Sequence, residues 1–510
     1  MNIEDDFVRH TITGKVDDIL KRKVPIELKD IFMGIKEDQQ RKVLIEGAPG
    51  SGKSTLSLHI CHEWIKGNLF TEYGHVILVR LRELTVKNAK RIANLLPRRD
   101  NTMGCNLEIE INSCDGKGIL FIFDGWDELP MDVPGYKIIK NILNSETLHK
   151  SSIIITSRPV SSTSLQQVVN SRIEILGFTK DELRCYFHGC LNNDMKNVTV
   201  LQQRISENPV VEGSCYLPLN ASILVHLFKC GGNKLPSTQY GIFYELVYNC
   251  VRRHLIKTKQ VTDDDLTLEP LEQLPSDVGT QFHLLCKIAY EGVINDRIIF
   301  DLENGFNTLG LLLGVESFAV RGRSHSYNFL HLSIQELLAA IYMATQLTED
   351  QQIEHLKNLF GQARFSAVFQ FYAAKTKLQT PGIDVIVVDI VRKCAQDRKI
   401  MELSPHSDDH SLAAGATYNL GHEPQPLLLS LLHCLFEAQD QALCLLVAKE
   451  FKGQLDLRDI SLNPADCLSV GYFLTHCKQS KVLLGGCSIG DDGCQALFRK
   501  GQKYDLEYLR

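Results

Sequence analysis

Three features of this sequence predict a multidomain chain, α/β first and α-helical after it. Short apolar runs recur between Lys42 and Phe178, separated by stretches long enough for helices. A glycine-rich loop lies between the first of these runs and a helical stretch. Beyond Thr179 the apolar residues take a helical period, as in Ile223, Leu224, Leu227, Phe228 and again in Ile242, Phe243, Leu246, Val247, Val251. The size agrees: 510 residues with 44% hydrophobic and 23% charged side chains make a packed chain of several units, not a disordered or fibrous one.

Residues 1–41 are polar and mixed, with a weak helical rhythm at Val16, Ile19 and Leu20, and hold no complete domain. From Lys42 the runs VLIEG, HVILVRL, GILFIFDGWDEL and SSIIITSRP read as buried strands of a parallel sheet that ends near Ser171–Phe178. The segment 257–275 is polar with two prolines and reads as a loop. A polar break at 402–410 precedes Leu427, Leu428, Leu429, Leu431, Leu432 and Leu435, a run dense enough to be buried. Near the end, Leu455, Leu457, Ile460 and Leu462 have counterparts 27 residues on at Val482, Leu484, Cys487 and Ile489. That spacing lies within the roughly 20–29 residues of leucine-rich repeats, each a strand plus a helix. One and a fraction repeats form no stable solenoid, so the natural chain is expected to continue, or this one to be a fragment.

Net charge is −6, from 55 Lys and Arg against 61 Asp and Glu, which gives no basic footprint for nucleic acid or an acidic membrane. The opening MNIEDDFVRH has no signal-peptide apolar stretch, and the apolar runs fall short of the ~18 residues of a spanning helix. The 16 Cys are scattered through helical stretches, as buried thiols of a reducing compartment are. A cytoplasmic location is therefore expected.

The site the sequence displays begins at Gly47-Ala48-Pro49-Gly50-Ser51-Gly52-Lys53-Ser54, the full G-x-x-x-x-G-K-[ST] phosphate loop, between a strand and a helix. The glycines turn backbone N–H groups toward phosphates, and the helix N-terminus adds partial positive charge. Lys53 reaches the β- and γ-phosphates, and the Ser54 hydroxyl ligates Mg²⁺. Thr55 either hydrogen-bonds the α-phosphate or caps the helix. A second element, Ile119 to Leu129, ends an apolar strand in Asp124, the Mg²⁺ partner directly or through water. Asp127 and Glu128 are candidates to orient or deprotonate an attacking water. A third, Ile153 to Pro159, ends in Arg158, which either senses the γ-phosphate or forms an ion pair with the carboxylates.

With GAPGSGKST at 47–55, FDGWDEL at 123–129 and TSRP at 156–159, the chain resembles the NACHT family of signal-transduction ATPases. That family lies within the AAA+-like class that includes the nucleotide-binding leucine-rich-repeat (NOD-like) immune receptors. The resemblance extends to Tyr216-Leu217-Pro218-Leu219, where the family's proline packs on adenine. It extends also to 327–340, where His331 fills the position whose histidine touches the β-phosphate of ADP and holds the closed state. On residues alone, without the resemblance, His331 reads as a helix-terminal histidine packed against Phe329 and Leu332.

The resemblance implies an AAA+-like P-loop nucleotide-binding domain at 42–178, a helical domain at 179–260 and a winged helix at 275–345. A second helical domain at 350–450 and the start of leucine-rich repeats at 451–510 follow. It implies ATP or ADP with Mg²⁺, slow hydrolysis, self-association on activation, and a role in innate immune signalling with an upstream ligand and a downstream partner that the sequence does not name. Two other readings share these motifs: a steadily turning-over P-loop ATPase or remodelling motor, and a non-catalytic repeat scaffold.

Overall fold

The structure is a computed structural model. It describes residues 12–14, 24–35, 40–83, 86–96, 101–129, 131–158, 165–230, 235–258, 271–303, 306–319, 322–402, 425–451, 454–457, 462–476, 480–498 and 506–509, single positions inside some of these spans excepted. Val16, Ile19, Leu20, Pro159, Ile460, the centre of the 257–275 segment and most of the 402–410 break lie outside the described residues. The chain forms two compact units. The first holds 1–235, 298–302 and 315–328, and the second holds 236–297, 303–314 and 329–510.

The first unit is built on a seven-stranded sheet. Its strands are Ile12–Gly14 (β1), Val24–Ile26 (β2), Lys42–Gly47 (β3), His75–Arg80 (β4), Ile119–Asp124 (β5), Ser152–Ser157 (β6) and Ser171–Ile175 (β7), in the order β2-β1-β7-β3-β6-β5-β4. The pairs β7–β3, β3–β6, β6–β5 and β5–β4 are parallel, and β1 pairs antiparallel with both β7 and β2. Every residue of β3, β5 and β6 is buried, as expected of strands covered on both faces. Alternate residues divide between two cores. Leu44, Phe121, Phe123, Ile153 and Ile155 pack with Ile139 and Ile142 of Pro134–Leu143. Val43, Ile45, Leu120, Ile122 and Ile154 pack on the opposite face with Leu56 and Ile60 of Lys53–Ile65 (α1).

Two findings go beyond the sequence reading. The 1–41 segment adds two antiparallel strands to the sheet edge, too short for an apolar run to mark them. Ile31 and Phe32 are also buried in the α1-side core. Helices follow at Asn101–Ser113 (α2), Pro134–Leu143 (α3), Lys180–Cys190 (α4), Met195–Ser206 (α5), Pro209–Ser214 (α6) and Pro218–Lys229 (α7). Gly177 ties the sheet to the start of α7: the Phe178 N–H donates to the Tyr216 carbonyl at 2.7 Å. At φ +100° a side chain on Gly177 would also run into that carbonyl, so glycine is required.

In the second unit, Gln239–Lys257 (α8), Ser276–Ile294 (α9), Leu332–Gln346 (α10), Glu349–Leu359 (α11), Ser366–Thr376 (α12), Ile383–Glu402 (α13), Gln425–Ala438 (α14) and Gln441–Glu450 (α15) are helical. In α14, Leu428, Leu431, Leu432 and Leu435 are buried, whereas Leu427 and Leu429 are half-buried. Ile299–Asp301 (β8), Leu312–Ala319 (β9) and Gly322–Phe329 (β10), whose residues belong mostly to the first unit, form a sheet in the order β8-β10-β9. The chain's last part alternates strand and helix: Gln454–Asp456 (β11), Pro464–His476 (α16), Ser480–Leu483 (β12), Asp491–Leu497 (α17) and Leu506–Leu509 (β13). β11 and β12 pair in parallel with Leu455 opposite Val482, so the 27-residue offset of the sequence is the register of the ladder.

Candidate nucleotide site

The topology gathers the predicted residues of the first unit at one edge of its sheet. Neighbouring strands β3, β6 and β5 end at Gly47, Ser157 and Asp124, so the loops after them share the C-terminal edge where open α/β sheets bind ligands. After Gly47 the chain turns tightly, with the Ser51 N–H donating to the Ala48 carbonyl at 3.1 Å. Gly52 (φ 96°) then starts α1, with Lys53 as its first residue. Gly50 (φ +79°) lies against α7: the Leu219 N–H donates to the Gly50 carbonyl at 3.2 Å, and a Cβ on Gly50 would come within 2.9 Å of the Leu219 Cβ. Pro218, buried in the first turn of α7, is thereby held beside the loop.

Lys53 folds over the loop, its Nζ donating to the carbonyls of Gly47 at 2.7 Å and Ala48 at 3.0 Å. Burial pushes its ammonium down to about 8, against the pull of Asp127, Asp124 and Glu128. Asp124 is buried, and its Oδ1 accepts from the Thr156 hydroxyl at 2.7 Å and the Ser57 hydroxyl at 3.3 Å. Thr156 in turn accepts the Gly125 N–H at 2.9 Å.

Arg158 sits on Asp127, with Nε 3.0 Å from Oδ2 and the backbone N–H 3.2 Å from Oδ1. The ion pair that is one of the two readings of Arg158 is thus present, with Asp127. Glu128 follows in the turn after Gly125, and burial together with Asp127 raises its carboxyl to about 7.

Thr156 and Ser57 escaped the sequence reading as partners of Asp124. A hydroxyl at the end of an otherwise apolar strand, and one four residues after Lys53 on the same helix face, were the signals available. His331 belongs to the second unit, where it caps α10 and its Nδ1 accepts the Ser333 N–H at 3.0 Å. An Nδ1 that accepts leaves the neutral ring's proton on Nε2.

The donor set suits the phosphates of a nucleotide. The Ser51 hydroxyl is fully buried inside the loop with no hydrogen-bond partner among the described residues, Ser54 is exposed at the helix start, and Lys53 and Asp124 lie at the same sheet edge. An orphaned hydroxyl in a glycine cradle is what an oxyanion ligand would satisfy.

The model of the NACHT domain matches residues 41–194, the span that contains this sheet and its loops. The chain is a NACHT-domain protein. It is homologous to the NACHT, LRR and PYD domains-containing proteins: 25% identical over 469 residues to protein 1b allele 1 of Mus musculus, covering 84% of this chain and 35% of that one. Protein 3 of Rattus norvegicus is 26% identical over 344 residues, covering 60% of this chain and 31% of that one. This NACHT chain thus spans about a third of the length of such relatives. Among solved structures, a Signal Transduction ATPase with Numerous Domains from Pyrococcus horikoshii, with a tetratricopeptide repeat sensor, aligns over 86% of this chain and 54% of that one. The identity there is 11% and the TM-score 0.27. Membership of the NACHT class implies nucleotide binding of the P-loop type. Among the described residues of this NACHT protein, no helix is long and apolar enough to cross a membrane.

Replacing Thr156 with valine keeps the shape but removes a bond to each of two buried groups, the Asp124 carboxylate and the Gly125 N–H. The expected loss in unfolding free energy is about 1–3 kcal/mol, read by chemical denaturation of the parent and the variant. A variant of parental stability would show that these bonds do not hold Asp124.

Proposed function

We propose that this NACHT protein is an ATP- and ADP-binding conformational switch of the NOD-like receptor kind. It acts in cytosolic innate immune signalling, hydrolyses ATP slowly and self-associates when opened. The observation that carries this reading is the convergence of the Lys53 loop, the buried Asp124 and the Asp127–Arg158 pair on one sheet edge, with Pro218 held beside the loop.

In this reading the backbone of 47–55 and Lys53 hold the phosphates, Thr55 reaches the α-phosphate or caps α1, and Pro218 packs on the base. Ser54 and Asp124 would hold Mg²⁺, which when bound neutralises the charge on the phosphates. Glu128, raised toward neutrality, accepts the proton of the attacking water, and Asp127 keeps Arg158 in place beside it. The Nε2 proton of His331 donates to the β-phosphate of ADP and holds the closed state.

The segments carry names in the same reading: nucleotide-binding at 42–178, helical at 179–260, winged helix at 275–345, a second helical domain at 350–450 and leucine-rich repeats at 451–510. The three-stranded sheet of β8, β9 and β10, which follow α9 and precede α10 in chain order, supports the winged helix, and the 27-residue ladder register supports the repeats. A switch needs two long-lived states, and moving such an equilibrium from 1:99 to 99:1 takes about 5.5 kcal/mol of differential affinity.

Lys53→Ala tests the site. Removing the cation leaves the bound polyphosphate short of one charged hydrogen bond, so affinity for both ADP and ATP should fall by about tenfold or more. Calorimetry showing parental affinities would overturn the assignment.

Glu128→Gln separates binding from chemistry. Its affinity for ATP should stay within about threefold of the parent while single-turnover hydrolysis falls by about a hundredfold. Hydrolysis at the parental rate would remove Glu128 from the chemistry.

His331→Leu tests the lock. ADP affinity should fall about ten- to a hundredfold, and by linkage the assembled fraction seen in light scattering should rise with it. A folded variant that binds ADP as the parent does, in the parental oligomeric state, would leave His331 only as the cap of α10.

A further inference from the structure

α8 starts without the acidic side chain that usually serves a helix N-terminus: its first turn, Gln239-Tyr240-Gly241, contains none. Thr238 caps only the third N–H, its hydroxyl accepting from Gly241 at 3.1 Å. The first two are met from a distant part of the chain. Glu437, 4% exposed near the end of α14, accepts the Gln239 N–H on Oε1 at 3.1 Å and the Tyr240 N–H on Oε2 at 3.3 Å. A buried carboxylate spanning two open N–H groups is a helix cap supplied from 197 residues away.

One turn earlier on α14, His433 grips a different helix. Its Nε2 lies 2.7 Å from Asp466 Oδ1 and its Nδ1 2.9 Å from the Ser469 hydroxyl, both on α16. Asp466 is itself part of the start of α16: its Oδ2 accepts the Asn463 N–H at 2.9 Å, and Asn463 Oδ1 accepts the Asp466 N–H at 3.0 Å. Serine, histidine and aspartate in this arrangement resemble a hydrolytic triad. Ser469 is nevertheless fully buried and lies 3.1 Å from the Ala465 carbonyl as a donor, so no substrate reaches it. The set is a clamp.

We propose that Glu437 and His433 make α14 a polar bridge, which ties the start of α16, the first helix of the repeat segment, to the first turn of α8. α8 begins four residues after Leu235, where the chain leaves the first unit. A displacement of α16 therefore loosens the head of α8 at the chain's entry into the second unit. Apolar contacts tolerate sliding, whereas these bonds are directional and buried, so a change of register on one side of α14 unseats its partners on the other. Burial raises the Glu437 carboxyl to about 7, while the Tyr240 and Gln239 N–H groups, His433 and Lys377 favour its charged form. The same residues thus set its charge and its position.

The test is site-resolved hydrogen exchange on the full chain. Glu437→Gln should speed exchange at the amides of 239 and 240 about tenfold. Asp466→Asn and Ser469→Ala, whose hydrogen bonds run to His433 of α14 and to the start of α16, should speed the same amides by at least about threefold. Faster exchange confined to 463–469 in those two variants, with 239 and 240 as in the parent, would overturn the bridge. Should a variant not fold, the parent in sub-denaturing urea decides: the bridge requires the amides of 239–240 and 463–466 to open together with one denaturant slope, and separate slopes overturn it. The consequence for nucleotide rests on the switch reading, under which Ser469→Ala should release ADP about three- to tenfold faster. If no nucleotide binds, that reading fails, while the exchange result, which needs none, still decides the bridge.

Discussion

A charge buried at the end of a central strand is the constraint on which the nucleotide site depends. Asp124 terminates a strand whose every other residue is apolar, and a carboxylate there is tolerable only if hydrogen bonds replace its lost water. Thr156 from the next strand and Ser57 from α1 supply them. Those bonds tie β5 to β6 and to the helix that follows the phosphate loop, so the elements that carry Lys53, Asp127 and Arg158 are positioned by one satisfied carboxylate. The same arrangement explains why hydroxyl side chains interrupt an apolar strand end and the buried face of a helix.

Around that anchor, like charges are kept apart by different means. Asp127 is held by Arg158 through both side chain and backbone, whereas Glu128, half-buried beside Asp127, is pushed toward its neutral form. Two adjacent carboxylates thereby acquire separate characters. Lys53, short of solvent, is drawn down the protonation scale and turns to the loop's own carbonyls. Leu219 closes on Gly50 at a position where only a glycine leaves room, which joins the start of α7 to the loop by backbone contact.

Local signals made much of this legible. β3, β5 and β6 are built on the apolar runs 43–45, 119–123 and 153–155, and the phosphate loop, Asp124, Asp127, Glu128 and Arg158 come after those runs in sequence. The 27-residue repeat could be read because side chains recur at that offset, and β11 and β12 pair on it. The choice of Asp127 as the partner of Arg158 depends on a contact across 31 residues, and α8's cap on one across 197; neither leaves a trace in periodicity or composition. β1 and β2 escaped notice because three-residue strands at a sheet edge take their stability from the neighbour they pair with and not from their own side chains.

The resting state proposed above for this NACHT protein is a nucleotide-bound one. The most direct measurement is to denature the purified protein and identify and quantify by mass spectrometry what it releases. The account predicts ADP close to one per chain. Release of no nucleotide, from protein that also shows no saturable binding of added ADP or ATP, would contradict it.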